Sequence, residues 1–242
     1  MRIGIFSDVH ANGEALDVVL KALEYEEVNR IFCLGDLVGY GPMPNECIER
    51  TMAVADEVVG GNHDYAATSR ISTDGFNDYA KQAIEWTQKV LTATSIARLN
   101  NLPMAITEGD IFIVHATPEA PEKWHYIFTY EEARRNFEFM TTPLCFVGHS
   151  HAPAAFIQND NGEISIQSAV SVAIHAGKKY IINVGSVGQP RDGDPRACYG
   201  VLDTDRNQFQ LKRLPYPVEI VQEKMQKKSL PRYLIERLSV GR

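Results

Sequence analysis

Within its first sixty residues the chain repeats one pattern, a short apolar run followed by a helical stretch. Residues 2–7 read as a buried strand, and 12–24 as an amphipathic helix with Leu16, Val19, Leu20 and Leu23 on one face. Residues 30–34 form the next strand, Asn45 is placed to cap a helix running to about residue 55, and Val58 and Val59 begin a third strand. Strands joined through helices run parallel, because a parallel pair needs a long crossover that a tight turn cannot supply. This opening therefore commits the chain to an α/β fold with a parallel sheet at its core. In such sheets ligands bind beyond the carboxyl ends of the strands.

The later pattern is mixed. Residues 74–101 read as mainly helical, with Ala83, Trp86, Val90 and Leu91 as the apolar stripe. A strand over 111–114 ends at His115, a helix covers about 130–140, and a strand over 144–147 runs into Gly148-His149-Ser150-His151. Short strands follow at 154–158, 164–167, 179–184, 199–203 and 209–213, with a closing helix over 218–238. No repeat, linker or low-complexity tract interrupts the 242 residues, so one domain over 1–242 is expected.

The polar residues that break this pattern recur at one kind of place. Asp8 and His10 follow the first strand, Asp36 the second, and Asn62 and His63 the third. His115 follows a fourth strand, and His149 and His151 follow a fifth, on one side of the chain because alternate residues of an extended segment share a face. At the carboxyl ends of adjacent strands these groups converge. Gly35, Gly61 and Gly148 just before them suit sharp turns that free the side chains.

The bulk properties narrow the class. A formal charge of −7 opposes a broad grip on long nucleic acid. Cys33, Cys47, Cys145 and Cys198 are scattered without a CxxC pair and read as small core residues of a reducing compartment. The apolar run at the start is too short for a secretion signal, and no segment reaches the roughly 18–20 apolar residues of a membrane span. A cytoplasmic protein is expected.

The series Asp8-Val9-His10, Gly35-Asp36-Leu37-Val38-Gly39, Gly61-Asn62-His63-Asp64, Val114-His115-Ala116 and Gly148-His149-Ser150-His151 resembles the calcineurin-like metallophosphoesterase superfamily. Its pattern is DxH, GDxxx, GNH[DE], H and GHxH. The segment 185–203 is similar to the small bacterial phosphodiesterase-like and diadenosine tetraphosphatase-like branch. The resemblance implies a four-layer α/β/β/α sandwich of two mixed sheets flanked by helices. It implies two divalent metals, one held by Asp8, His10, Asp36 and His151, the other by Asp36, Asn62, His115 and His149. It further implies hydrolysis by direct attack on phosphorus of a hydroxide held between the metals. Mixed imidazole and carboxylate ligands suit manganese, iron, cobalt, nickel or zinc, with manganese the first expectation. His63 is implied as the general acid, or as a cation beside the phosphate, with Asp64 orienting its imidazole.

Outside the motifs the residues leave alternatives open. Asn12 is a candidate for contact with substrate phosphate, but helix capping accounts for it equally. Arg191 can clamp a phosphate or sit as a solvated loop arginine, as can Arg196. Trp124, His125 and Tyr126 follow a ligand-bearing strand and suit a pocket wall, while His175 reads as a strand residue without a chemical role. Residues 65–101 form a helical insertion placed to wall or cap the site. The arginine and aspartate of the GDxVDRG stretch typical of protein Ser/Thr phosphatases are missing from Gly35-Asp36-Leu37-Val38-Gly39-Tyr40-Gly41, against a dedicated protein-phosphatase role. The expected substrate is a small phosphodiester or nucleotide-type compound such as a dinucleoside polyphosphate. The rivals are a phosphomonoesterase and a catalytically silent scaffold of the same fold.

Overall fold

The computed structural model describes residues 1–242. Three parallel strands, β1 (Arg2–Phe6), β2 (Arg30–Cys33) and β3 (Glu57–Val58), are joined through α1 (Gly13–Tyr25) and α2 (Pro44–Val54). The chain then passes through α3 (Asn62–Ala67), α4 (Asp78–Val90) and α5 (Ala93–Asn100). Three strands of a second sheet follow: β4 (Ala105–Glu108), β5 (Ile111–Val114) and, after α6 (Tyr130–Phe139), β6 (Leu144–Val147). Next come β7 (Ala154–Gln158), β8 (Ile164–Gln167), β9 (Ser171–Ala173), β10 (Lys179–Asn183), β11 (Ala197–Asp203) and β12 (Gln208–Leu214), then α7 (Val218–Lys227) and α8 (Arg232–Glu236). No helix is long and apolar enough to cross a membrane.

The strands form two six-stranded mixed sheets, ordered β3-β2-β1-β11-β12-β9 and β4-β5-β6-β10-β7-β8. The period of two along each strand builds the layers. Ile3 and Ile5 of β1, Phe32 of β2, Ile111 and Ile113 of β5, and Phe146 of β6 meet in a core between the sheets. The alternate residues Phe6, Cys33 and Val58 face the helices of the first sheet, and Val114, Cys145 and Val147 face α6. Helices, sheet, sheet and helix thus make the expected α/β/β/α sandwich. Because β1, β2 and β3 run parallel, as do β5, β6 and β10, their carboxyl ends gather at one edge of each sheet.

Several local expectations are corrected. Asn45 does not cap α2, which starts at Pro44, a residue preorganised for the first helical turn. Its side chain instead donates to Val90 O (2.8 Å) and accepts from Thr92 N–H (3.0 Å), at a break that divides the expected long helix into α4 and α5. Thr92 caps α5. The closing helix likewise divides, with Ser229 in the left-handed region (φ +56°) and Pro231 starting the second piece. Strands β4 and β9 have no counterpart in the sequence reading, and His175 lies in the loop after β9 rather than in a strand.

Candidate metal centre

The eight polar strand-end residues converge at the carboxyl edge, all of them buried. The backbone that delivers them is strained. Asp8 (φ +55°), His10 (φ +48°), Asp36 (φ +52°), His149 (φ +64°) and His151 (φ +58°) all adopt the left-handed region. Each such residue costs about 1–3 kcal/mol, and such strain collects at functional sites. Gly148 permits the closest approach between the sheets: a Cβ there would lie 2.0 Å from Ser7 Oγ and 2.5 Å from Asp8 Oδ2.

Three imidazoles are oriented in the same way. Nδ1 of His10, His115 and His151 donates to the main-chain oxygens of Val38 (3.0 Å), Leu34 (2.8 Å) and Gln189 (2.5 Å). Each Nε2 then carries its lone pair inward. Nε2 of His151 lies 3.1 Å from Asp8 Oδ1, and Nε2 of His115 lies 3.2 Å from Asp36 Oδ2. Nε2 of His10 is 3.6 Å from Asp8 Oδ1 and 3.7 Å from Asp36 Oδ2. His149 is turned the other way, its Nε2 donating to Trp124 O (2.9 Å) and leaving Nδ1 as the free nitrogen. Asp36 Oδ1 accepts the His63 N–H (2.8 Å), so its other oxygen faces the imidazoles.

The residues fit metal ions on two grounds. Nε2 of His10 and Nε2 of His151 face each other at 3.0 Å, and with both protons on Nδ1 that is two lone pairs in opposition. A cation between them turns repulsion into ligation. In addition Asp8 Oδ1, Asn62 Oδ1 and His115 Nε2 are buried without hydrogen-bond partners. Each such atom costs about 1–3 kcal/mol if left unmet. The acceptors group as Asp8, His10 and His151, as Asp36, His115 and His149, and as His10, Asp36 and His63, each set lying within 4.8 Å.

Electrostatics follow burial and charge. Burial pushes the Asp8 carboxyl up, but the imidazoles of His151, His10 and His115 around it hold it well below the ordinary range. Asp36 is lowered against burial in the same way by His115 and His63. Burial pulls His149 down to about 4, with the charge of His115 adding, and His151 to about 3, with Arg191 adding. Both rings therefore offer lone pairs at neutral pH. His115 is raised to about 9 against burial because Asp36 stabilises its proton, which a metal would displace. Burial lowers His63 well below its ordinary value.

Two expected contacts are corrected. Asp64 does not orient the His63 imidazole. Its oxygens accept backbone N–H groups from Leu37 (2.9 Å), Val38 (3.2 Å) and Gly61 (3.0 Å), fastening the loop after β2 to the start of α3. Buried there beside Asp36, it is raised to about 7 by desolvation first and by that neighbour's charge second. His63 Nδ1 has no partner, and its ring packs among His10, Tyr40 and Phe76. Asn12 is turned into the fold, accepting from Ala15 N–H and donating to Gly188 O, and caps α1 as its alternative reading had it.

A cavity of about 440 Å³ opens over Asp36, Asn62, His63, His149 and His151. Trp124, Tyr126 and Arg191 line it, so Arg191 is not a solvated loop residue. His125 points away from it, and Arg196 pairs with Asp194 at the surface (2.6 Å). Ile71, Ser72, Phe76, Asn77 and Ala80 of the helical insertion form one wall. A larger cavity, about 690 Å³, opens at the opposite edge, beside His175, without any of these groups. Tyr40, Phe76, Lys123 and Gln189 were missed in the sequence. Tyr40 alone left a signal there, a bulky side chain between Gly39 and Gly41 in a loop that otherwise reads as spacer.

Residues 1–207 match the model of a calcineurin-like phosphoesterase superfamily domain. An uncharacterised protein of Methanocaldococcus jannaschii is 40% identical over 245 residues, covering 99% of this chain and 98% of its own. The crystal structure of a metallophosphoesterase from Sphaerobacter thermophilus is 40% identical with a TM-score of 0.88, covering 100% and 99% of the two chains. A hypothetical protein from Pyrococcus horikoshii OT3 shares the fold at 18% identity, with a TM-score of 0.79 over 100% and 98%.

Proposed function

This chain belongs to the calcineurin-like phosphoesterase superfamily, and from that premise we propose that it hydrolyses a small phosphodiester or nucleotide-type substrate with two divalent transition metals. Manganese is the first candidate, ahead of iron, cobalt, nickel and zinc. The observation that carries this reading is the opposed pair of imidazole lone pairs on His10 and His151, set beside buried, partnerless acceptors on Asp8 and Asn62. Asp8, His10, Asp36 and His151 would hold one metal, and Asp36, Asn62, His115 and His149 the other. Bound metals of this kind lower the pKa of water and neutralise charge on phosphoryl oxygens.

The protein's own groups do the rest. The His63 ring lies on the cavity floor beside Asp36 and is placed to pass a proton to the leaving-group oxygen. An anionic phosphate beside His63 would raise its lowered pKa, so that the ring takes a proton from solvent and passes it to the leaving-group oxygen. Asp64 supports this step indirectly, by fixing the two loops on which Asp36 and His63 ride. The cavity has the size of a nucleotide site, and the insertion over 65–101 serves as its wall. Dinucleoside polyphosphates are the candidate physiological class.

Arg191 favours a second reading. A guanidinium in the cavity wall suits a dianionic monoester or a terminal phosphate. Hydrolysis of bis-p-nitrophenyl phosphate, p-nitrophenyl phosphate and diadenosine tetraphosphate by metal-stripped protein, with and without Mn(II), ranks these readings. Turnover that returns with metal supports the hydrolase. Its absence from folded, metal-loaded protein with all three would move the weight to a silent scaffold.

A further inference from the structure

We propose that Tyr40 is a positioning residue that aims Arg191 at the substrate, the two forming the wall that grips the non-reacting oxygens of the phosphate. This rests on the phosphoesterase reading above. Arg191 is half-buried in the cavity wall, and no aspartate or glutamate pairs with it. Arg70, Arg98 and Arg135 also lack a carboxylate partner, but they are exposed, whereas Arg191 is half-buried. Arg2, Arg30, Arg50, Arg196 and Arg213 each sit on a carboxylate. Arg237 nearby donates to the Arg242 main-chain oxygen, and its pKa is lowered by burial and then by the charge of Arg191. A partly desolvated cation without a counter-charge is costly, and an arriving anion relieves it.

The guanidinium is held in a set orientation. Nη2 donates to Tyr40 Oη (3.1 Å) and to Gln189 Oε1 (3.0 Å), while Nε is buried without a partner. A guanidinium has five N–H donors; with Nη2 engaged and Nε buried, those on Nη1 remain for a phosphate oxygen. The Arg191 main chain is tied to the metal-binding frame, its N–H donating to His151 O (3.2 Å) while Gln189 O takes the His151 Nδ1 proton. The cation therefore keeps a fixed relation to His151.

Tyr40 supplies the remaining constraint. It sits in the left-handed region (φ +59°), an expensive place for a bulky side chain. Gly39 before it (φ +86°) runs directly beneath His63, since a Cβ there would lie 2.4 Å from His63 Nδ1. The Tyr40 ring is 6% exposed and lies 4.5 Å, centre to centre, from both His10 and His63. Its position is thus fixed by packing, and its hydroxyl is left with one polar task, that of accepting from Arg191.

Inorganic phosphate is the probe. Its affinity is measured by calorimetry on metal-loaded protein and as a competitive inhibitor of bis-p-nitrophenyl phosphate turnover. Tyr40→Phe keeps the ring and removes one hydrogen bond, so phosphate affinity should fall about fivefold. KM should rise to match, with kcat and metal content little changed. Arg191→Gln should cost at least about tenfold, as loss of a charged hydrogen-bond donor does, and Arg191→Lys should recover part of it. Adding Tyr40→Phe to Arg191→Gln should change nothing further, because the hydroxyl acts only through the guanidinium. Unchanged phosphate affinity in Tyr40→Phe would overturn the proposal, as would a full additive effect in the double variant. Should no ester turn over with any metal, the functional reading fails while calorimetry still tests the pair. Wild-type protein that binds no phosphate would sink both.

Discussion

Asp36 and His63 are neighbours in space with opposite demands on charge. Asp36 is buried yet stays ionised, because the imidazoles around it outweigh the cost of desolvation. His63 is buried and stays neutral, because no carboxylate contacts its ring strongly enough to reverse the effect of burial. In the proposed centre Asp36 would be the ligand common to both metals. Asp36→Asn keeps the size of the side chain and can still accept from the His63 N–H, but it removes the charge both ions need. Metal analysis of that variant should show both ions lost. His63→Ala keeps the backbone N–H on Asp36 and removes a side chain whose Nδ1 has no partner, so both proposed metals should stay while turnover falls about 10²–10⁴-fold. Equal metal loss in the two variants would refute the division of roles.

At the scale of elements, the sandwich depends on ties between helices and strands, and Glu26 at the end of α1 is one such tie. It accepts from Tyr199 Oη of β11 (2.7 Å), and Arg2 of β1 (2.6 Å) and Lys212 of β12 (3.1 Å) pair with it. Burial would raise its pKa, but the Tyr199 bond and the two cations lower it below the ordinary 4.5. A group whose folded pKa is depressed adds stability above its unfolded pKa and loses it as pH falls through the folded value. Glu26→Gln should therefore cost about 1 kcal/mol at pH 7, after solvent screening. In urea melts the gap should close below about pH 4, and a gap that persists there would show that packing, not charge, is what the tie supplies. Such ties are hidden in sequence, whereas strand ends are not. Asp8, Asp36, Asn62 and His115 were legible because polar side chains directly after apolar runs have no role in a core. β4 and β9 were not, since β4 buries none of its four residues fully and the three residues of β9 are held by pairing with β12. Asp64 looked like a partner for His63 because it follows it, but backbone N–H groups 26 and 27 residues away claim its oxygens. Arg191 stands forty residues beyond the last motif, and only the parallel pairing of β10 with β6 brings its loop to the site.

At the scale of the molecule, the candidate centre lies across the seam between the two sheets. Asp8, Asp36 and Asn62 come from strand ends of the first sheet, and His115, His149 and His151 from strand ends of the second. This seam holds the facing lone pairs of His10 and His151 and the buried, partnerless Asp8 Oδ1 and Asn62 Oδ1. Metal ions held as proposed would tie ligands of one sheet to ligands of the other, and none of these residues is so arranged in an unfolded chain. Metal binding is therefore coupled to the stability of the whole sandwich. At a metal concentration about a thousand times the dissociation constant, one site adds about 4 kcal/mol, which for a chain of this size raises the melting temperature by roughly 10 °C. Mn(II) added to stripped protein should give at least that shift in a calorimetric scan, and Asp36→Asn, with the shared ligand uncharged, should lose it. Wild-type protein that melts at the same temperature with and without metal would mean that the seam closes by packing alone, and that these residues do not hold the ions assigned to them.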